Sequence, residues 1–580
     1  MNSEKTIHQT QIMKGNKHMR NIVMIDIMST GYNYVLDILR RGYRPVVILP
    51  DFSNQSEAKY IVEEGRKAAI AKVPADTKIL QAGKNYEETL AIVRELDPVL
   101  VLAASETGVE LAARLAWDLG LPGNSYKNID RYVKKSAMHQ ALQDHGVRSI
   151  RGKIIRSFAE AEQFMNEIGT QKVVVKPTRS AGSYGLRLCS SKEEVKAAIE
   201  YVSTHANYMG QRVEEILIQE RIFGTEYIVN TMSRHGKHKV TSIWKYHKLE
   251  TGTGGYVYNS CESVNELEVG HSELIEYSYA VLDALEVSDG PVHGEYMVDE
   301  KGPVLIEVNC RPMGGNMSAE WADLVFGQHE TDTILDSFLD EQYFERILKE
   351  PYHALRKGVM KFIINPTEME IFAAPIRVLL DHLRSVYSYQ IVDVEETGRL
   401  MKTENHESTG GHIYLVHDDP QVVQQECDLL HLSEERYFEM LYTSKDMSRS
   451  PIPEKIGTLD QVIDVYSPTG AILAVSDRST EKHYVTRILP EDVSKVKGGF
   501  DLVIYDMADY GEGPSVEQTL DWIFKAMEKV KHGGRFVFTR RFYAKTPYGR
   551  PMSDAFLIFG GFRIEAPIYG SGGNAAGIRD

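Results

Sequence analysis

The stretch Val304-Leu305-Ile306-Glu307-Val308-Asn309-Cys310-Arg311-Pro312-Met313-Gly314-Gly315 decides how this chain is read, because an apolar strand ends abruptly in an acid, an amide and a guanidinium. Side chains alternate faces along a strand, so Leu305, Glu307, Asn309 and Arg311 are expected on one side. Upstream, Pro291 to Val298 reads as a second strand, joined through Asp299-Glu300-Lys301-Gly302-Pro303, a loop of turn-forming residues. Leaving those five residues unpaired sets Glu295 opposite Glu307. Like charges facing each other across a hairpin destabilise it, so the arrangement makes sense chiefly with a cation between them. Oxygen donors suit magnesium, which keeps water and phosphate oxygens in its shell. An edge hairpin of solvated acids is the bland alternative, and it leaves Asn309 and Arg311 unexplained.

The chain has 580 residues, enough for about three to five domains or subdomains. Its 42% hydrophobic and 26% charged content are those of a globular protein. A net charge of -16 argues against a broad nucleic-acid footprint. No apolar run approaches the length of a bilayer span, so no membrane partner is expected. The first nineteen residues are polar and read as a disordered lead-in. Cys189, Cys261, Cys310 and Cys427 are widely spaced and form no metal-ligand pattern, which fits a reduced cytoplasmic setting.

Residues 20 to 49 read strand, loop, helix, strand, with Ser29-Thr30-Gly31 in the loop. That loop lacks the triple-glycine dinucleotide fingerprint and is expected to face substrate or to be structural. Pro98 to Ala104 is a further strand, followed by Ser105-Glu106-Thr107-Gly108 and an amphipathic helix from Val109 to Leu119. Ligands bind at the carboxyl ends of such strands, so Glu106 is a candidate substrate contact. Asn128 to Gly146 reads as one helix containing Lys134 and Lys135. Lys172 to Pro177 is a strand carrying Lys176, and Thr178 to Gly185 is a hydroxyl- and glycine-rich turn able to cover polyphosphate. Glu215 to Asn230 reads as two strands flanking a turn at Gly224, with Glu220 and Glu226 near it. Ile243 to Lys248 then leads into Thr251-Gly252-Thr253-Gly254-Gly255-Tyr256, a candidate lid.

Lys135-x-x-Met138, Lys176 with its glycine loop, Glu220 to Glu226, Glu295, and Glu307-x-Asn309-x-Arg311 with Gly314-Gly315 together resemble the ordered motifs of an ATP-grasp ligase. The resemblance covers about residues 20 to 330. Residues 355 to 432, with Val359 to Ile364 and Gly410 to Val416, look like the C-terminal subdomain of the L-amino acid ligases. The implied class is α/β and α+β, an ATP-grasp fold with ATP and Mg2+ as cofactors. Lys135 and Lys176 would contact the α- and β-phosphates, helped by Ser180, Gly182, Ser183 and Gly185. The segment Glu220, Arg221 and Ile222 would meet adenine, and Glu226 the ribose. Glu295, Glu307 and Asn309 would hold magnesium. Arg311, Lys176 and Glu307 would be catalytic, Arg311 by stabilising charge on the transferred phosphoryl group. His247, Lys248, Tyr256, His293, Arg311, Gly314, Gly315 and Asn316 are the candidate substrate contacts. Cys310 stands where the motif has a small residue or proline, and reads as a structural thiol.

After Ser444, the segment Met447 to Pro453 reads as a linker. Ala471 to Val475, Phe500 to Asp506 and Gly533 to Phe538 read as strands of a module resembling the second half of a Rossmann-like methyltransferase. The glycine-rich cofactor loop is missing, so the module is expected to be degenerate, structural or dimerising, the last allowing a homodimer. The expected domains are a lead-in at 1-19, an α/β domain at 20-128, the ATP-grasp domain at 129-350 with its lid at about 150-220, a ligase-like subdomain at 351-444 and the extension at 445-580. The leading function is ATP-dependent joining of an amino acid or related carboxylate to an amine through an acyl phosphate, forming a dipeptide or a specialised metabolite. Carboxylation, acylation of a carrier-protein thiol and a nonenzymatic nucleotide-binding scaffold are the alternatives.

Overall fold

A computed structural model of the chain describes residues 19–580 except 52–57, 181–184, 206–212, 214, 251–255, 266–269, 366–370, 373–375, 377–379, 382, 393–398, 404–407, 433–458, 467–468, 477, 507–515, 539–561, 565–574 and 580. Gly182, Ser183, the loop residues Thr251 to Gly255, the expected linker at 447–453 and the tail Tyr569 to Asn574 therefore lie outside the described residues, as does nearly all of the lead-in. The chain divides into two units, Met1–Lys245 with Val264–Leu355, and Tyr246–Ser263 with Arg356–Asp580.

The first unit opens with a parallel four-stranded sheet in the order Lys78–Gln81, Arg44–Leu49, Asn21–Ile25, Pro98–Ala103. Val- and Ile-rich central strands suit a sheet buried on both faces, and Ile22 to Ile25 and Val46 to Ile48 are fully buried. Asn85, Ser157 and Ser191 cap three of the unit's helices by accepting from the backbone N–H three residues on. The loops after the first and last strands of this sheet interlock. A Cβ on Gly31 would lie 2.0 Å from the Ala104 carbonyl oxygen, and one on Gly108 would lie 2.2 Å from that of Ile25, so only glycine fits. This close approach fixes the turn that presents Glu106.

A second, four-stranded sheet follows in the order Gly152–Ile155, Ile216–Glu220, Val173–Pro177, Arg187–Cys189, backed by helices Phe158–Ile168 and Lys192–Thr204. The unit's third sheet portion runs Gly302–Asn309, Gly290–Asp299, Thr225–Arg234 and, as far as Lys245, Lys237–Glu250. Helix His271–Ala284 packs against it over a core that includes Val281, Leu282, Val292, Leu305 and Val308.

The expected single helix from Asn128 to Gly146 is broken. A 3-10 turn, Tyr126–Asn128, and a short helix, Asp130–Val133, end at Lys134, which is extended at φ -118° and ψ 116°, and a new helix runs Lys135–Asp144. The backbone N–H groups of a helix's first turn have no intrahelical partner. That of Lys135 donates to the Thr178 carbonyl at 3.0 Å, so the break ties this helix to the turn after Pro177.

In the second unit, Tyr256–Ser263, Lys357–Phe362, Gly411–His417 and Val386–Ile391 pair antiparallel in that order. A six-stranded sheet contains parallel Val485–Ile488, Ile472–Val475, Phe500–Tyr505 and Val530–Phe538, then antiparallel Ala575–Arg579 and Phe562–Ile564. Where Ile472–Val475 and Phe500–Tyr505 end, buried Asp506 accepts from Arg478 and from the Ser476 hydroxyl. One core joins Val359, Ile413, Leu415 and Val423 to Leu473, Val475, Val503 and Phe536. Deleting 445–580 strips half of that core. The truncated chain is expected to lose its cooperative thermal transition for this unit, with limited proteolysis cutting inside 356–432. No helix among the described residues is long and apolar enough to cross a membrane.

Candidate functional site

The hairpin Gly290–Asp299 and Gly302–Asn309 does place Glu295 opposite Glu307. It does so by another route than a five-residue loop. Asp299 pairs with Gly302, leaving a two-residue turn, and the register slips by one between Tyr296, opposite Leu305, and Glu295, opposite Glu307. Ile306 is the extra residue of a bulge. A one-residue slip exchanges the faces of a strand. Leu305 accordingly lies in the apolar core with Val308, whereas Glu307 and Asn309 line an open cleft. The expectation that Leu305 shares a face with Glu307 is therefore wrong, and the bulge is the reason.

Around Glu307 the charges converge. The Lys135 ammonium lies 2.5 Å from Glu307 Oε2 and donates to the Ser180 carbonyl at 2.7 Å. Asn309 Nδ2 is 3.4 Å from Glu307 Oε1. Both Lys135 and Glu307 are buried, and each is compensated by the other. Glu295 lies 3.4 Å from Nε2 of His293, whose Nδ1 meets the Asn230 amide oxygen at 2.9 Å. Burial lowers the His293 pKa, which favours the neutral ring. Lys176 is buried on the Val173–Pro177 strand. One helical turn beyond Lys135, buried His139 is pushed down to about 3 by burial and by Lys176, and so is neutral.

Arg311 follows the strand, and its Nε donates to Glu106 Oε2 at 3.0 Å while Nη1 donates to the Pro312 carbonyl at 3.0 Å. Burial opposes its charge, but Glu106, Glu295 and Glu307 hold its pKa above the usual arginine value. Glu106 is thus a partner of Arg311. The Ser29-Thr30-Gly31 loop is structural, because Ser29 Oγ accepts from Asn316 N at 3.1 Å, and Thr30 Oγ1 donates to Gly314 O and accepts from Met317 N. That bonding fixes Gly314, Gly315 and Asn316 beside Arg311. Burial pushes the Cys310 thiol up to about 12, as befits an inert thiol.

The cleft has a volume of about 480 Å3. It runs from Lys135, Ser180, Glu307 and Asn309 along the Glu106 turn and the Val109–Leu119 helix to Lys84, Tyr86, Arg114 and Tyr126. Arg179 also lines it and is ion-paired with Glu110. Sequence reading missed these wall residues, since Glu110 and Arg114 look like the solvated face of an amphipathic helix. It also missed Asp26, an acid ending an apolar strand at φ 62°, which is fully buried and binds Arg66 and the Thr107 hydroxyl.

Glu220 ends the Ile216–Glu220 strand and pairs with Arg151 at 2.6 Å, with Arg221 and Ile222 next to it, and Glu226 lies near the start of the Thr225–Arg234 strand. Gly185 adopts φ 77° beside Pro177. His247, Lys248 and Tyr256 belong to the second unit, where His247 Nε2 is 3.3 Å from Glu262 and Lys248 lies over the rings of Tyr246 and Tyr258. Asp37, His329 and Asp332 also cluster. Both His329 nitrogens face carboxylates, at 3.0 Å from Asp37 and 2.8 Å from Asp323. Burial works against its charge, yet these bonds raise it to about 10, so the ring is an imidazolium with no lone pair for a metal.

Residues 170–320 match the family model described as an ATP-grasp domain. The chain carries that domain, and its fold is the mixed α/β ATP-grasp fold. Over 426 residues it is 26% identical to dapdiamide A synthase of Enterobacter agglomerans, covering 71% of this chain and 97% of that protein. Among solved structures, an L-amino acid ligase from Bacillus licheniformis aligns with a TM-score of 0.56 at 17% identity, over 72% of this chain and 98% of that one. An N5-carboxyaminoimidazole synthase from Aspergillus clavatus, in complex with ADP and aminoimidazole ribonucleotide, aligns with a TM-score of 0.52 at 14% identity, over 72% and 99%.

Proposed function

We propose that the protein is an ATP-dependent carboxylate-amine ligase that couples an amino acid, or a related carboxylate, to an amine. The observation that carries this reading is the Lys135–Glu307–Asn309 cluster opposite Glu295, opening on a 480 Å3 cleft beside the Arg311–Glu106 pair. Relatedness to dapdiamide A synthase supports it.

In this reading ATP is a substrate. Lys135 and Lys176 bind its phosphates as point charges, and the residues near Glu220 and Glu226 hold its nucleoside. The substrate carboxylate oxygen attacks the γ-phosphorus, the bond to the β-phosphate oxygen breaks, and ADP leaves. Arg311 faces the charge that develops on the transferred group. The amine nitrogen then attacks the acyl carbon, the bond to phosphate breaks, and the amine gives up a proton. Glu106 keeps the Arg311 guanidinium oriented throughout. Arg179 and Ser180, on the cleft wall, help exclude water from the acyl phosphate.

The chain's own residues fit magnesium. Two carboxylates stand opposite each other across the hairpin, Glu295 and Glu307, and an amide, Asn309, lies within 3.4 Å of the second. Oxygen donors of this kind suit a hard cation that is shared with phosphate. When bound, the ion would neutralise phosphate charge and polarise the transferred group. We place the reaction in a reduced, cytoplasmic setting, where the four free cysteines stay thiols, with a homodimer as the assembly to test.

The test is ADP release from ATP, with amino-acid mixtures present and product masses recorded. A condensation mass with stoichiometric ADP is the expected result. A product heavier by carbon dioxide, or an acylated thiol, would favour other ATP-grasp chemistry. ADP release that no carboxylate stimulates would refute the ligase reading.

A further inference from the structure

Each glutamate lining the cleft has a cation, and Asp51, a further acid on its wall, is also engaged. Glu307 is paired with Lys135, Glu106 with Arg311, and Glu110 with Arg179. Two cations of the same wall do not have an acid. Among the described residues, neither Arg114 nor Lys84 has a carboxylate within ion-pairing distance, although both line the cleft.

Arg114 is nevertheless held in place. Its guanidinium carbon lies 3.4 Å from the centroid of the Tyr86 ring and 5.8 Å from that of Tyr126. The Tyr86 hydroxyl donates to Asp118 at 2.5 Å. Asp118 stands four residues after Arg114 on the same helix, the usual place for an ion-pair partner, yet it takes the tyrosine. Stacking fixes the plane of a guanidinium and leaves its N–H edge available. A planar cation presented in this way matches a carboxylate.

Position completes the argument. Glu106, Glu110 and Arg114 recur every fourth residue, so they follow one another along one face of the turn and helix. Glu106 marks the Arg311 end of the cleft, and Arg114 lies eight residues further on. Three steps of 3-10 turn at about 2.0 Å and five of α-helix at about 1.5 Å make roughly 13 Å.

We propose that the carboxylate substrate is a dianion, with its reacting carboxylate at the Arg311–Lys135 end and a remote carboxylate received by Arg114, assisted by Lys84. An extended chain spans about 3.5 Å per residue, and the long cationic side chains reach in from either end, so the separation suits an elongated diacid. This deepens the ligase reading and rests on it.

The experiment compares matched acids that differ only in remote charge, such as N-acetyl-Glu-Gly against N-acetyl-Gln-Gly, within a wider set of diacids and their half-amides. ADP release is read for wild type, Arg114→Met and Arg114→Lys. Wild type is expected to favour diacids over half-amides by about tenfold in kcat/KM, a partly solvated ion pair being worth about that much. Arg114→Met should bring the ratio to about one without changing KM for ATP, and Arg114→Lys should restore part of it. A diacid preference that survives in Arg114→Met overturns the proposal. So does ADP release by wild type with neutral monocarboxylic amino acids alone, an outcome that leaves the ligase reading standing. Phosphorylated acids preferred over diacids would overturn the carboxylate assignment. Failure of every carboxylate to stimulate ADP release would defeat both readings.

Discussion

Glu307→Gln is expected to lower ADP formation about a thousandfold, a loss of about 4 kcal/mol of transition-state stabilisation, with little change in thermal stability. The side chain sits at the convergence of the site, 2.5 Å from the Lys135 ammonium and opposite Glu295. Glutamine keeps its volume and one acceptor for Lys135, so the buried lysine is not stranded. Alanine would be the poorer test, because it leaves a buried cation without its acid. What glutamine removes is a charged oxygen donor facing Glu295, which on the proposed reading is a ligand of the divalent cation. Three measurements separate the effects: ADP release across a magnesium titration, nucleotide binding with a chelator present, and thermal unfolding. Loss of turnover with unchanged metal-free nucleotide binding and an intact melt is the predicted combination. Near-normal turnover would remove Glu307 from the chemistry.

How much of this was legible in the sequence depended on whether the information was local. The acid, amide and guanidinium after an apolar run could be read directly, and so could their pairing with Glu295, because strand alternation and a hairpin are short-range rules. The bulge at Ile306 could not be read. A two-residue turn plus one slipped residue gives the same Glu295–Glu307 pairing as a five-residue loop, and differs only in where Leu305 points. The break at Lys134 was hidden for a similar reason. Its cause is a hydrogen bond to Thr178, some forty residues away, which no helical pattern anticipates. Glu106 was singled out as a candidate substrate contact from the rule that ligands gather at the carboxyl ends of parallel strands. Its partner Arg311, 205 residues on, was not foreseen as such. Arg114 left no trace, since an arginine on an amphipathic helix reads as solvated until the fold sets Tyr86 beneath it.

Arg311→Met is expected to depress kcat by about a hundred- to a thousandfold, while KM for ATP changes by no more than about threefold. The reason is the way the guanidinium is held. Its side chain is only 13% exposed, Nε is committed to Glu106 and Nη1 to the Pro312 carbonyl. An arginine anchored on two sides is oriented before substrate arrives, so its remaining N–H groups can meet charge that appears only during transfer. On the proposed reading, ground-state ATP is held instead by Lys135 and Lys176, on other elements of the unit. A loss confined to kcat follows from that division, and a loss confined to KM would contradict it. Arg311→Lys sharpens the test. A lysine keeps the charge but has one nitrogen, which cannot hold Glu106 and also address the transferred group in a fixed plane. Its kcat should therefore fall nearly as far as that of Arg311→Met. Glu106→Gln, which keeps the guanidinium but loosens its anchor, should show a smaller fall in kcat at unchanged KM for ATP. If Arg311→Lys instead retained wild-type turnover, charge alone would suffice at this position and the anchoring role of Glu106 would fall with it.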